Sequence, residues 1–351
     1  MTDKKILDER KQFEDALRIN PNNVDAHINL AILLDNHFSE FDEAKKHFVE
    51  AIRINPLNAI AHCNLGFLLK NRFSEFNGAK YHYEEAIRIN PDIKEAHINL
   101  AKILENHFLE FNESKKHYYE GLRIKPYDAE IHVSLAILLD NHLSEFYEAK
   151  KHYEAAIKIN PNHAQAHCNL AIILALHFSE FNNAKKHFED AIRINPDDVH
   201  SHFNFAILLE KHFSDYFEAK EQYKAAIRIN PNYAEAHNNL AILFENNFAD
   251  YNKAKKLYEE AILINPNYAD AHNNLATLLK SKFKGYEEAK RHYEIAIKIN
   301  PQDAYVYYNL AILYLQHFND NEIAKNHYQK AIELDPSLIN PEVDKFLGII
   351  R

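Results

Sequence analysis

Histidine is a frequent metal ligand and the side chain that titrates nearest neutrality, and it occurs 23 times in this chain of 351 residues. Nearly all copies recur at a spacing of 35 residues, in three registers led by His27, His37 and His47. A zinc site gathers its ligands within about 2 Å of one ion. Equivalent side chains of stacked repeats stand about 8 to 10 Å apart, and there is neither an HExxH motif nor a pair of neighbouring cysteines. No metal and no cofactor are therefore expected. Full protonation would add 23 charges to a formal net charge of -10, so acidity is a candidate control. A Ser/His/Asp triad or a carboxylate pair needs residues placed uniquely in a dry cleft, which repetition contradicts. With five glycines in the chain, a phosphate-cradling loop has little to be built from. The expectation is a non-enzymatic protein.

The asparagines offer different chemistry. Asn29, Asn64, Asn99, Asn169, Asn204, Asn239, Asn274 and Asn309 share one position, interrupted by Ser134. Asn36, Asn71, Asn106, Asn141 and Asn246 share another, seven residues further on. Spacings of four, three and four link Asp25, Asn29, Ile32 and Asn36 into one helical stripe. An amide carries two donors and two acceptor lone pairs, so a ladder of them can pair with the backbone of an extended peptide while isoleucines such as Ile32 supply contact area. The competing reading is that the amides bond neighbouring helices and stiffen the array. Selectivity is expected where the pattern breaks, at Ala175, Leu176, His200, Phe203 and Lys211, with a hydrophobic side chain of the partner docking near Ala175, Leu176 and Phe203.

These residues must be positioned by a repeating element. Ten prolines, from Pro21 and Pro56 to Pro336, follow one another at 35-residue intervals. Within each interval the apolar residues trace two helical stripes: Ala26, Leu30, Leu33, Leu34 and His37, then Phe41, Ala44, Phe48, Ala51 and Ile52. Each repeat is therefore a helical hairpin. Asn22 or Asn23 is placed to cap the first helix and Ser39 the second, and the proline ends the second helix by pushing its predecessor out of the α region. Small Ala31, Ala44 and Ala51 leave room for Phe48 and for close helix approach.

The paired helices, facing small residues and closing proline resemble the tetratricopeptide repeat family, over essentially the whole chain. The resemblance implies an all-α, right-handed superhelical solenoid of antiparallel helix pairs, whose first helices line a concave groove. Two departures are regular: histidine replaces the usual aromatic near the start of the first helix, and one residue is added between the helices, where Phe38 and Phe41 replace a glycine-containing turn. The asparagine ladder is similar to that in the repeat domain of the O-linked N-acetylglucosamine transferase, where it holds peptide backbone; the resemblance implies the ladder alone, without glycosyl transfer.

The expected organisation is a single solenoid over residues 1–351: a capping helix at 4–20, nine hairpins over 22–336 and a C-terminal cap at 337–351, with a helix opening at Asn340 and Pro341. An acidic balance of -10 disfavours nucleic acid and anionic membranes and favours a basic partner. No apolar run of membrane-spanning length occurs, and two cysteines 105 residues apart, Cys63 and Cys168, suit a reducing cytoplasm. The sequence reads as a cytoplasmic scaffold for a protein or peptide segment. The alternative is an architectural array that self-associates through its repeats.

Overall fold

The computed structural model describes residues 2–348. Met1, and Ile349, Ile350 and Arg351 of the expected C-terminal cap, lie outside the described residues. The secondary structure of the described residues is helical throughout. By internal contacts the chain divides into two compact units, residues 1–178 and 179–351.

The first unit begins with the helix Thr2–Ile19, followed by four hairpins and the first helix of a fifth, Ala164–His177. The opening hairpin, Val24–Leu33 and Phe41–Ile54, shows how the sequence builds each copy. Asn23 is extended (φ -77°) and its side chain accepts from the Ala26 N–H, which satisfies one of the free donors of a helix start. At the other end Asn55 is also extended (φ -130°) before Pro56, and its side chain accepts from the Leu57 N–H, closing the turn into the next repeat. Ala31, Ala44 and Ala51 have no exposed surface and Phe48 is 2% exposed, so the small and large residues interlock as their spacing predicts.

The link between the two helices differs from expectation. Ser39 does not cap the second helix: it adopts the left-handed conformation (φ 54°, ψ 26°) and ends the first. Residues 34–38 form a π-turn, and the Ser39 N–H reaches back to the Leu34 carbonyl. In this and five further repeats the added residue is absorbed in that wider turn, which here moves the cap of the second helix to Glu40. There the aspartates of later repeats do the capping, as Asp215 accepts from the Glu218 N–H and Asp250 from the Lys253 N–H. Among the described residues nine non-glycine positions, one per repeat, have this positive φ; they include Leu109, Ala249 and Lys284. Leu109 is 65% exposed, so it stabilises little by burial while carrying about 1–2 kcal/mol of left-handed strain. Leu109→Gly is expected to raise the unfolding free energy by about 0.5 to 1 kcal/mol after the cost of ordering glycine, seen as a higher urea midpoint; a lower midpoint would contradict the assignment.

A recurring cation ties neighbouring repeats of the first unit. Arg10, Lys45, Lys80 and Lys115 bond Glu40, Glu75, Glu110 and Glu145 at 2.7, 2.8, 2.9 and 2.6 Å. The first three also lie 4.7 Å from the rings of Phe38, Phe73 and Phe108. The adjacent Lys46 bonds Glu43 on its own helix, whereas Lys45 joins two repeats. His37, assigned to the core stripe, is exposed. Its equivalents instead stack on the preceding repeat, His107 on Phe76 and His142 on Phe111, with ring centroids 3.5 and 4.3 Å apart.

The second unit starts with the helix Phe181–Ile194 and continues with four hairpins, the first Val199–Leu208 with Tyr216–Ile229. It ends in a 3-10 turn and the helix Pro341–Phe346, whose cap Asn340 accepts from the Glu342 and Val343 N–H groups. The Tyr328 hydroxyl receives the Asn340 N–H at 2.7 Å, which fixes this last helix to the final hairpin.

Candidate functional site

On the first helix of each hairpin the stripe Asp25, Asn29, Ile32, Asn36 stays accessible beside the buried Leu30, Leu33 and Leu34. Asn29 is exposed; Asn64, Asn99, Asn169, Asn204, Asn239, Asn274 and Asn309 are half-buried; Asn36, Asn71, Asn106, Asn141 and Asn246 are exposed. Of these rungs Asn169, Asn274 and Asn309 meet residues of the preceding first helix.

The clearest meeting of ladder residues lies in the fourth and fifth repeats. A cavity of about 290 Å³ is lined there by Ile137, Asp140, Asn141, Tyr153, Asn169 and Ile172, with Gln165 at its edge. Two asparagine registers and the isoleucine register thus converge on one hollow. The Tyr153 side chain shares this hollow with Asn169, whose amide partly opposes the upward shift that burial gives the Tyr153 hydroxyl. Elsewhere the amides have other partners. Asn106 donates to the Lys102 carbonyl and Asn204 to the His200 carbonyl, on their own helices. Asn274 donates to the Asn238 side chain and Asn309 to that of Asn273, each on the preceding first helix. In the last repeats the ladder therefore bonds neighbouring helices.

The symmetry-breaking residues fall in both units. In the first, Leu176 is 72% exposed and Ala175 half-buried. In the second, His200 and Lys211 are exposed, and the Phe203 ring packs 4.8 Å from that of Tyr233.

Two features of the face escape the sequence reading. The residue before Asn36 is Asp35, and its equivalents Glu105, Asp140, Glu210 and Glu245 are acids seated beside the ladder. Asp35 is 7% and Glu105 9% exposed. The hydroxyls of Tyr118, Tyr223 and Tyr258, rising from the buried side of the second helix, donate to Glu105, Glu210 and Glu245, each at 3.0 Å. Burial raises these three carboxyls above their ordinary range, opposed by the tyrosine hydrogen bonds. Burial likewise raises Asp140, opposed by His177, and lowers the ammonium groups of Lys70 and Lys280 at the same register. The signal available was the acid recurring one residue before Asn36, Asn106, Asn141 and Asn246.

The second feature is the pairing of histidines from unlike registers, which a comparison of equivalent positions misses. Nδ1 of His27, His62, His97, His132 and His272 lies 2.8 to 3.0 Å from Nδ1 of His47, His82, His117, His152 and His292. Nε2 of each inner ring faces a prolyl carbonyl, as His27 faces Pro21 at 3.0 Å. Since a carbonyl only accepts, Nε2 carries the hydrogen, so in a neutral pair the inner Nδ1 accepts and the outer ring donates. Both cysteines are buried. No helix among the described residues is long and apolar enough to cross a membrane.

Comparison with known proteins agrees with this architecture. Residues 13–46, 152–186, 257–291 and 292–326 match one tetratricopeptide repeat profile and 129–163 and 234–268 a second. Residues 214–247 match a profile described as TPR repeat. No curated protein matches the sequence. Among solved structures, PilF of Pseudomonas aeruginosa is 20% identical and covers 63% of this chain and 96% of its own, with a TM-score of 0.55. YrrB, described as a TPR protein with an unusual peptide-binding site, is 21% identical over 54% of this chain and 95% of its own, with a TM-score of 0.47. Human IFIT1, solved as a dimer with m7Gppp-AAAA, is 17% identical over 94% of each chain, with a TM-score of 0.48. The likeness to PilF extends to the fold. With profile matches over more than half of its length and a 35-residue helical hairpin as its unit, the chain belongs to the tetratricopeptide repeat family.

Proposed function

We propose that this protein is a non-enzymatic interaction scaffold whose first unit binds an extended, polar to basic peptide segment along the accessible face of its first helices. The observation that carries the reading is the hollow where Asn141 and Asn169 meet Ile137 and Ile172. Amides that can both donate and accept suit peptide backbone of any sequence, the isoleucines add apolar contact, and Asp140 with the exposed Glu95 and Glu130 favours lysine or arginine in the segment. The rungs Asn29, Asn64 and Asn99 extend the same face toward the N-terminus.

A screen of extended peptides should yield a ligand that Asn141→Ala with Asn169→Ala weakens by about tenfold or more, two hydrogen bonds at about 1 kcal/mol each. Asn274→Ala with Asn309→Ala should leave it unchanged. Equal affinity in the first variant would refute the groove. The amide bonds of Asn274 and Asn309 to the preceding helix favour a second reading for the last repeats, in which the ladder stiffens the array; a concentration-dependent mass without any peptide ligand would extend that reading to the whole chain.

A further inference from the structure

The strongest departure from the repeat pattern lies away from the ladder, between the second helices of the sixth and seventh repeats, Tyr216–Ile229 and Tyr251–Ile264. A cleft of about 540 Å³ opens there over the first helix of the seventh repeat, a volume typical of small-molecule sites. Its floor is apolar, formed by Ile227, Leu240, Phe244 and Leu257. Its walls carry Lys220, Lys224, Arg228, Lys253 and Lys256 against the single acid Glu260, in a chain whose net charge is -10.

Four local substitutions make this cleft. Leu257 stands where His47, His82, His117, His152 and His292 close upon an inner histidine. Lys253 stands where Glu43, Glu113, Glu148, Glu218 and Glu288 occur, and Lys224 where Glu84, Glu154, Glu189, Glu259 and Glu294 occur. Ala225 takes the place of the acid that pairs with this arginine on other second helices, as Glu50 pairs with Arg53 at 2.7 Å; Arg228 has no ion-pair partner among the described residues.

The missing histidine also leaves a buried atom unserved. His237 is 7% exposed; its Nε2 faces the Pro231 carbonyl at 3.1 Å, while Nδ1 makes no hydrogen bond, although Glu260 Oε2 lies 3.2 Å away. Leaving a buried polar atom unserved is costly, and a ligand N–H in the cleft can satisfy it. The remaining cations hold surface partners, Lys220 and Lys224 with Glu221 at 3.6 and 3.0 Å, Lys253 with Asp250 at 2.7 Å and Lys256 with Glu260 at 3.6 Å. Such exposed pairs contribute little and yield readily to a competing anion.

We propose that this cleft binds a small amphipathic anion, its ring or chain on the Leu240, Phe244 and Leu257 floor, its acidic head among Lys224, Arg228 and Lys253, and a polar group of its body on His237 Nδ1. A fitting probe is 8-anilinonaphthalene-1-sulfonate, which carries fused rings, one N–H and a sulfonate. Fluorescence and calorimetric titration of the full chain should show one saturable site of micromolar affinity, weakened by added salt and about tenfold tighter than for the uncharged N-phenyl-1-naphthylamine. Leu257→His with Lys253→Glu restores the residues that other repeats carry, so the fold should persist, as a thermal melt will verify, while affinity falls by about tenfold or more. Arg228→Ala should weaken the probe without altering the melt. Absence of a saturable site, equal affinity of the uncharged probe, or undiminished binding by the restored variant would each overturn the proposal. Asn141→Ala with Asn169→Ala should leave the probe's affinity intact, so the cleft and the peptide face are tested separately.

Discussion

Acidification from pH 7.5 to 4.5 is expected to lower the unfolding free energy by about 3 kcal/mol through three outer histidines alone. His82, His117 and His152 are each pushed down to about 4, first by burial and then by the facing ring of His62, His97 or His132. Glu85 acts in the opposite sense on His82, Glu113 and Glu120 on His117, and Glu148 on His152, while Lys116 and Lys151 add to the lowering. A histidine whose folded value lies below its unfolded one binds fewer protons when folded, so its stabilisation is complete above about pH 6.5 and is lost as pH falls toward the folded value near 4. The full shift corresponds to about 3 kcal/mol per ring, and solvent screening of these half-buried groups reduces it to about 1 kcal/mol each.

Geometry gives the same direction. A pair holding a proton on every nitrogen would set two N–H groups against each other across 2.8 to 3.0 Å. Glu105 and Asp140, raised by burial, bind protons more tightly when folded and so oppose the loss, but His47, His62, His272, His292 and His327 are lowered as well. Urea melts at the two pH values provide the measurement, and coincident midpoints would rule the mechanism out. At this register the sixth repeat carries Gln222, 2.6 Å from His202, so His82→Gln, His117→Gln and His152→Gln together should flatten the pH dependence without unfolding the protein at pH 7.5.

Tyr118→Ala is expected to destabilise the first unit by about 3–5 kcal/mol, the range for deleting a fully buried aromatic ring. Tyr118 is 1% exposed, and its hydroxyl is the hydrogen bond by which the second helix holds Glu105. Tyr118→Phe keeps the ring and removes only that bond, so it should cost about 1–3 kcal/mol at pH 7.5, with Glu105 left unserved. The deficit should shrink at pH 5, where a protonated Glu105 tolerates burial better. A Phe variant as stable as the parent at both pH values would show that Glu105 finds another partner.

Much of the architecture was legible because it is carried by local, repeated causes. The 35-residue proline ladder, the Ala and Phe stripes and the cap at Asn23 each act within a few residues of themselves, and the structure realises all of them. Ser39 was misread for a local reason too: serine before a helix is the usual cap, but the inserted residue is taken up by a π-turn, which moves the serine one place early into a left-handed stop. What sequence could not display is contact between registers. His27 and His47 are 20 residues apart and on different helices, and only the antiparallel hairpin sets their rings face to face. The same holds for Glu105 and Tyr118, 13 residues apart. The ladder was visible as a pattern, yet the fate of each amide depends on its neighbour: Asn169 meets a tyrosine, and Asn274 meets Asn238.

The ties from Arg10 to Glu40, Lys45 to Glu75, Lys80 to Glu110 and Lys115 to Glu145 all span 30 residues and use interchangeable partners. Excision of residues 57–91 would bring Lys45 opposite Glu110 and join Pro56 to Asp92 in phase, leaving each remaining tie of this kind with a glutamate to meet, while Asp35 would exchange Arg72 for His107. Unequal recombination between repeats can therefore lengthen or shorten this molecule by whole periods while keeping its glutamate ties, at the expense of repeat-specific pairs such as Arg72 with Asp35. The evolutionary history of such a chain is then recorded less in its length than in the few repeats, such as the seventh, whose residues no longer exchange freely with their neighbours.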